Sequence, residues 1–124
     1  MSEINKENIG GLIISEDVIA EIAKNASKDI EGLAGFATRP ADIAGVFKKN
    51  SSSKSIKVIN HDNEMILDMY VVLKSGVKIP VVCEKIQRNV KEAVQNMTGR
   101  IVNKVNIYVA GIEFLKEENS EPQV

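Results

Sequence analysis

Residues 64–74 read Glu-Met-Ile-Leu-Asp-Met-Tyr-Val-Val-Leu-Lys. Side chains of an extended strand point alternately to opposite faces, so this run divides cleanly in two. Met65, Leu67, Met69, Val71 and Leu73 form one wholly apolar face, while Ile66, Asp68, Tyr70, Val72 and Lys74 form a mixed one. A strand of this kind needs a partner layer on its first face only. Residues 55–60 precede it as a second strand, and Asn60-His61-Asp62-Asn63 between them is a cluster of turn formers, so the pair reads as a β-hairpin.

Two amphipathic helices are available to cover the apolar face. Ser15 is placed to cap the first, with Glu16 and Asp17 suiting its positive end. Ile19, Ile22, Ala23, Ala26 and Ile30 then recur at three- and four-residue steps, with Gly32 as a stop. Pro80 opens the second, on which Ile79, Val82, Cys83, Ile86, Val90, Ala93, Val94 and Met97 share one side and Gly99 supplies the end. Residues 102–114 read as a last strand, with Val105, Ile107 and Val109 inward, Lys104, Asn106 and Tyr108 outward, and Gly111 breaking the alternation with a bulge. Gly10-Gly11-Leu12-Ile13-Ile14 reads as a short first strand, residues 33–38 as a strand or tight turn, and Pro40 as the start of a short helix with Ile43, Val46 and Phe47 on one face. The pattern predicts an α+β domain of two layers, a mixed β-sheet with two amphipathic helices packed on one face.

Length and charge bound the rest. At 124 residues the chain suits one domain, predicted over residues 10–115 between polar tails at 1–9 and 116–124 that have little to bury. Sixteen basic against seventeen acidic residues give no overall field for nucleic acid or an anionic membrane. One cysteine excludes an internal disulfide and fits a reducing, cytoplasmic compartment. The start of the chain lacks the basic and apolar regions of a secretory signal, Ser2 excludes N-myristoylation, and no apolar run approaches the ~20 residues that span a bilayer.

Candidate chemistry is sparse. Cys83 lies near a helix start, where a thiolate can be favoured, but its place on the apolar stripe reads as a buried, unreactive thiol. His61, Asp62, Glu64 and Asp68 do not have calcium-loop spacing and read as turn and strand residues. Lys48, Lys49, Lys54 and Lys57 read as a solvated loop cluster. Gly32-Leu33-Ala34-Gly35 has the Gly-x-x-Gly spacing with which KH domains clamp a nucleic-acid backbone, yet holds no basic residue inside it. No catalytic, cofactor or metal set emerges, and the expectation is a non-enzyme without a small-molecule substrate. The one surface that stands out is the outward face bearing Ile66, Tyr70, Val72 and Tyr108, more apolar than a solitary domain requires and so a candidate for contact with protein.

Several runs, in this order, resemble the alkaline-shock-protein family, the envelope stress response proteins of Gram-positive bacteria. They begin with Gly11-Leu12-Ile13-Ile14-Ser15, Val18-Ile19, Ile22-Ala23 and Ile30-Glu31-Gly32-Leu33. More specific are Ile66-Leu67-Asp68-Met69-Tyr70-Val71-Val72, Gly76-Val77-Lys78-Ile79, Ile86-Gln87-Arg88-Asn89-Val90-Lys91-Glu92-Ala93-Val94, Met97-Thr98-Gly99 and Val105-Asn106-Ile107-Tyr108-Val109-Ala110-Gly111-Ile112. The resemblance spans residues 10–114; Ser75, Pro80 and Arg100 depart from the family pattern and leave the subfamily open. It implies a cytoplasmic binding or scaffold protein linked to cell-envelope homeostasis and alkaline or envelope stress, with no catalytic residues to carry over. It also implies a homo-oligomer, and association with the membrane through a membrane-anchored protein partner rather than by insertion. The alternative is a nucleic-acid-binding module using Gly32 to Gly35.

Overall fold

The computed structural model describes residues 10–39 and 54–114. Its elements run α1 (Glu16–Ser27), β1 (Leu33–Phe36), β2 (Ile56–His61), β3 (Glu64–Lys74), α2 (Ile79–Thr98) and β4 (Lys104–Glu113). β3 is the centre of the sheet. β4 pairs with it in parallel along residues 66–74, while β2 pairs antiparallel with residues 64–69 and β1 antiparallel with 71–73. A strand has two edges, so β1 and β2 lie end to end along one edge of β3 and β4 takes the other. The sheet is mixed, as expected.

Alternation in β3 is borne out residue by residue. Met65, Leu67, Met69, Val71 and Leu73 are buried in one core cluster with Ile19, Ala20 and Ala23 of α1 and Val82, Ile86, Val90 and Val94 of α2. Since both helices join the odd-numbered face of β3, they form a single layer on one side of the sheet, as the stripes predicted. The stripes themselves are displaced. On α1 the fully buried positions include Ala20 and Ser27, whereas Ile22 and Ala26 are only half-buried, and on α2 Ile79 and Met97 are exposed at the helix ends. A helix packed on a neighbour and a sheet together turns its deepest line toward the junction of the three.

Local chemistry sets the boundaries. The Ser15 side chain accepts a hydrogen bond from the Val18 N–H at 3.2 Å, the capping contact expected. α2 ends on Gly99 at φ 77°, a left-handed cap. The hairpin turn is tighter than the four-residue cluster suggested: His61 pairs with Glu64, leaving only Asp62 (φ 47°) and Asn63 (φ 72°) to turn the chain. Two successive positive φ angles match the twist of the flanking strands. The bulge expected in β4 is present, since the register passes from Val71–Val109 to Val72–Gly111 and leaves Ala110 as the extra residue.

Two readings of the sequence need correction. Gly10 to Ile14 is not a strand; Leu12 is 81% and Ile13 92% exposed. Both edges of β3 are already occupied, so the run finds no partner there, and Ile14 instead packs against the core one residue before the cap, at the staple position relative to Ile19. Gly32 does not stop α1, which ends at Ser27, whose hydroxyl donates back to carbonyls of the last turn. Of the two alternatives left open for residues 33–38, the strand is the one present, as β1 over Leu33–Phe36. The helical candidate at Pro40, Lys48, Lys49 and both tails lie outside the described residues.

Candidate protein-interaction site

The even-numbered face of β3 carries the four residues singled out from sequence. Ile66, Tyr70 and Val72 are half-buried and Tyr108 is 44% exposed. Parallel register sets Tyr108 of β4 directly beside Tyr70 of β3. The rings stack with centroids 4.7 Å apart and planes inclined by 10°. Such a pair contributes about 0.5–1.5 kcal/mol beyond the area it buries, so Tyr70 and Tyr108 hold each other rigid on the surface. Ile66 lies opposite Ile59 of β2, which extends the apolar patch by a residue the sequence reading missed. The two-residue turn would have revealed it, because it fixes the hairpin register.

Polar groups frame this patch. The Asn106 amide donates to Asp68 Oδ1 at 2.9 Å, two residues before the tyrosine pair along both strands, and Lys57 lies opposite Asp68 on β2. Both helices lie on the other side of the sheet, so no described helix covers the tyrosines.

A groove, also missed, lies in the helix layer. Val18, Ile22, Asn25 and Ala26 of α1 face Ala93 and Met97 of α2 across a groove of about 470 Å³. The positions that depart from the deepest lines of the two helices are the ones that wall it.

Other candidates take ordinary places. Cys83 is half-buried rather than buried, packs against the core, and has its pKa raised by desolvation, which keeps the thiol protonated. His61 is the last residue of β2, beside the hairpin turn, with Nε2 3.4 Å from Asp62 Oδ2 and both side chains well exposed. Among the described residues no group of three metal-binding side chains comes together. The Gly-x-x-Gly reading is overturned: Gly32 accepts a bond from Lys74 N–H at its carbonyl, and Gly35 pairs with Val72 inside the sheet, so no loop is left to clamp a phosphate backbone. No helix among the described residues is long and apolar enough to cross a membrane.

Comparison with known proteins agrees with the runs quoted from the sequence. The chain is similar to the uncharacterized protein YqhY of Bacillus subtilis (strain 168), 33% identical over 111 residues that cover 86% of this chain and 80% of that one. It is 32% identical over 106 residues to the uncharacterized protein YloU of the same organism, covering 83% and 88%. With the uncharacterized protein Spy1535 of Streptococcus pyogenes serotype M6 (strain ATCC BAA-946 / MGAS10394) it shares 34% identity over 119 residues, covering 95% and 89%. No solved structure matches. The model of the alkaline-shock-protein family, described as having a cell envelope-related function, matches residues 4–114, and the chain therefore belongs to that family.

Proposed function

We propose that within its cell-envelope-related role this protein acts without catalysis, as a cytoplasmic scaffold that associates with itself and with a membrane-anchored protein. The observation that carries the reading is the Tyr70–Tyr108 stack, a preformed aromatic platform flanked by Ile66 and Val72 on the side of the sheet away from the helices. Rigid aromatic groups with little rotamer entropy left to lose are the usual anchors of protein contacts. The half-buried, protonated Cys83 and the exposed position of His61 at the end of β2 support a role other than nucleophilic catalysis. A membrane-anchored partner is invoked because a few surface lysines contribute only about 1 kcal/mol each near anionic lipid, too little for firm attachment.

The test is cell fractionation of the wild type beside a Tyr70→Lys/Tyr108→Lys double variant. We expect part of the wild type with the membrane fraction and the double variant released from it while still folded by circular dichroism. Binding of purified wild type to neutral, protein-free vesicles would overturn the partner, as would a double variant that stays at the membrane.

A further inference from the structure

We infer that the outer edge of β4 is a pairing edge for β4 of a second copy, running antiparallel about a two-fold axis at Tyr108. This rests on the self-association reading above and specifies its geometry. Backbone direction comes first. The Tyr70 N–H donates to Ser55 O and the Tyr70 carbonyl accepts from Ala37 N–H, so the even-numbered residues of β3 direct their backbone groups toward the β1 and β2 edge. The odd-numbered ones therefore face β4, and the parallel register hands Lys104, Asn106 and Tyr108 to them. Val105, Ile107 and Val109 are left with backbone groups pointing away from the sheet. Gln87 marks this independently, for its side-chain amide reaches out from α2 to donate to the Val105 carbonyl at 2.9 Å.

That cap closes one end of the edge and the bulge at Ala110 closes the other. Between them stand the N–H and C=O groups of Ile107 and Val109, flanking Tyr108 symmetrically. A two-fold axis at Tyr108 sets Ile107 of each copy opposite Val109 of the other, as hydrogen-bonded pairs exchanging about four backbone bonds. The edge also lacks the usual safeguards against pairing: residues 105–112, Val-Asn-Ile-Tyr-Val-Ala-Gly-Ile, hold no charge and no proline. The opposite edge carries Lys57 and His61 along the short strand β2.

The tyrosines argue for a second copy in particular. Their 4.7 Å separation matches the roughly 4.7–4.9 Å spacing of adjacent strands, so the stack runs across the sheet and the second face of Tyr108 looks past the edge. The two-fold axis puts Tyr108 of the other copy in the non-hydrogen-bonded position opposite, where side chains approach most closely. The stack then continues through four rings. Ile107 and Val109, half-buried while Met69 and Val71 beside them are fully buried, gain cover from the same added strand.

The experiment combines sedimentation with cysteine cross-linking in a Cys83→Ala background. Tyr108→Cys should form an intermolecular disulfide on mild oxidation, because Cα atoms of such a pair stand about 4.5 Å apart, within disulfide reach. Lys57→Cys on the other edge should not. Ile107→Pro removes an N–H that no described strand of the same chain accepts, and should weaken self-association at least ~10-fold. Should that variant not fold, the cross-linking pair decides alone. Oligomers of the Tyr108→Cys variant in which the introduced thiol stays unlinked would overturn the edge while leaving self-association through another surface. A wild type that remains monomeric at high concentration would overturn it too, and would leave the membrane-anchored partner to its own test.

Discussion

At Gly32 the backbone stands at φ 101°, and a Cβ there would come within 2.8 Å of Val82 Cγ2 and 3.3 Å of Val77 Cγ1. Gly32→Ala therefore combines a disfavoured conformation with overpacking, and should cost about 2–4 kcal/mol, read as a lower urea midpoint with unchanged slope. The sequence marked this glycine as special but for the wrong reason, since the approach of Val82, 50 residues on, leaves no trace in the local pattern. Cys83 was more legible, because the period of α2 put it on the apolar side; its half-exposed state was not, since the rim of a core depends on what the neighbouring helix covers. Desolvation raises its pKa from an ordinary value of 9.0. The thiol in the unfolded chain ionises first as pH rises, so its contribution to stability is present below that ordinary value and lost as pH climbs through the folded one. Relative to Cys83→Ala, the wild type should lose stability between neutral and strongly alkaline pH, measured by urea denaturation; a pH-independent difference would refute this.

Among the elements, those governed by neighbouring residues were read correctly: α1 from its Ser15 cap, α2 between Pro80 and Gly99, and the hairpin from its turn formers. Asn63 at φ 72° holds a left-handed position that glycine adopts freely. Asn63→Gly should raise stability by about 0.5 kcal/mol and Asn63→Val lower it by about 1 kcal/mol or more, both visible in thermal melts. Gly10 to Ile14 fails as a strand because a strand needs a pairing partner as well as propensity, and the central strand β3 already has β1 and β2 along one edge and β4 along the other, leaving the run bonded to no described strand. Propensity proposes strands; pairing decides among them.

For the molecule as a whole, period-two alternation in β3 and β4 was enough to tell which side chains meet the helices and that Ile66, Tyr70, Val72 and Tyr108 point the other way. What alternation cannot convey is strand order, so the meeting of Tyr70 with Tyr108 rested on an assumption about neighbours until the parallel register established it. Nor could the groove between Val18, Ile22, Ala93 and Met97 be read, because it arises where two stripes miss each other. The end-to-end placement of β1 and β2 has one more consequence. The chain leaves β1 and returns to β2 at neighbouring points on the same edge, and Arg39 N–H donates to Lys54 O at 2.7 Å, so the two stems are stitched together before residue 40 and after residue 53. For the fold, that crossing behaves as a closed seam. A fluorescent reporter spliced into the polar run after Lys49 should shift stability by no more than about 1 kcal/mol, since lengthening a connection whose described stems are already bonded together costs little entropy. The bonded stems at Arg39 and Lys54, on the edge opposite β4, thus bracket an internal tagging point from which assembly could be watched with both termini left untouched.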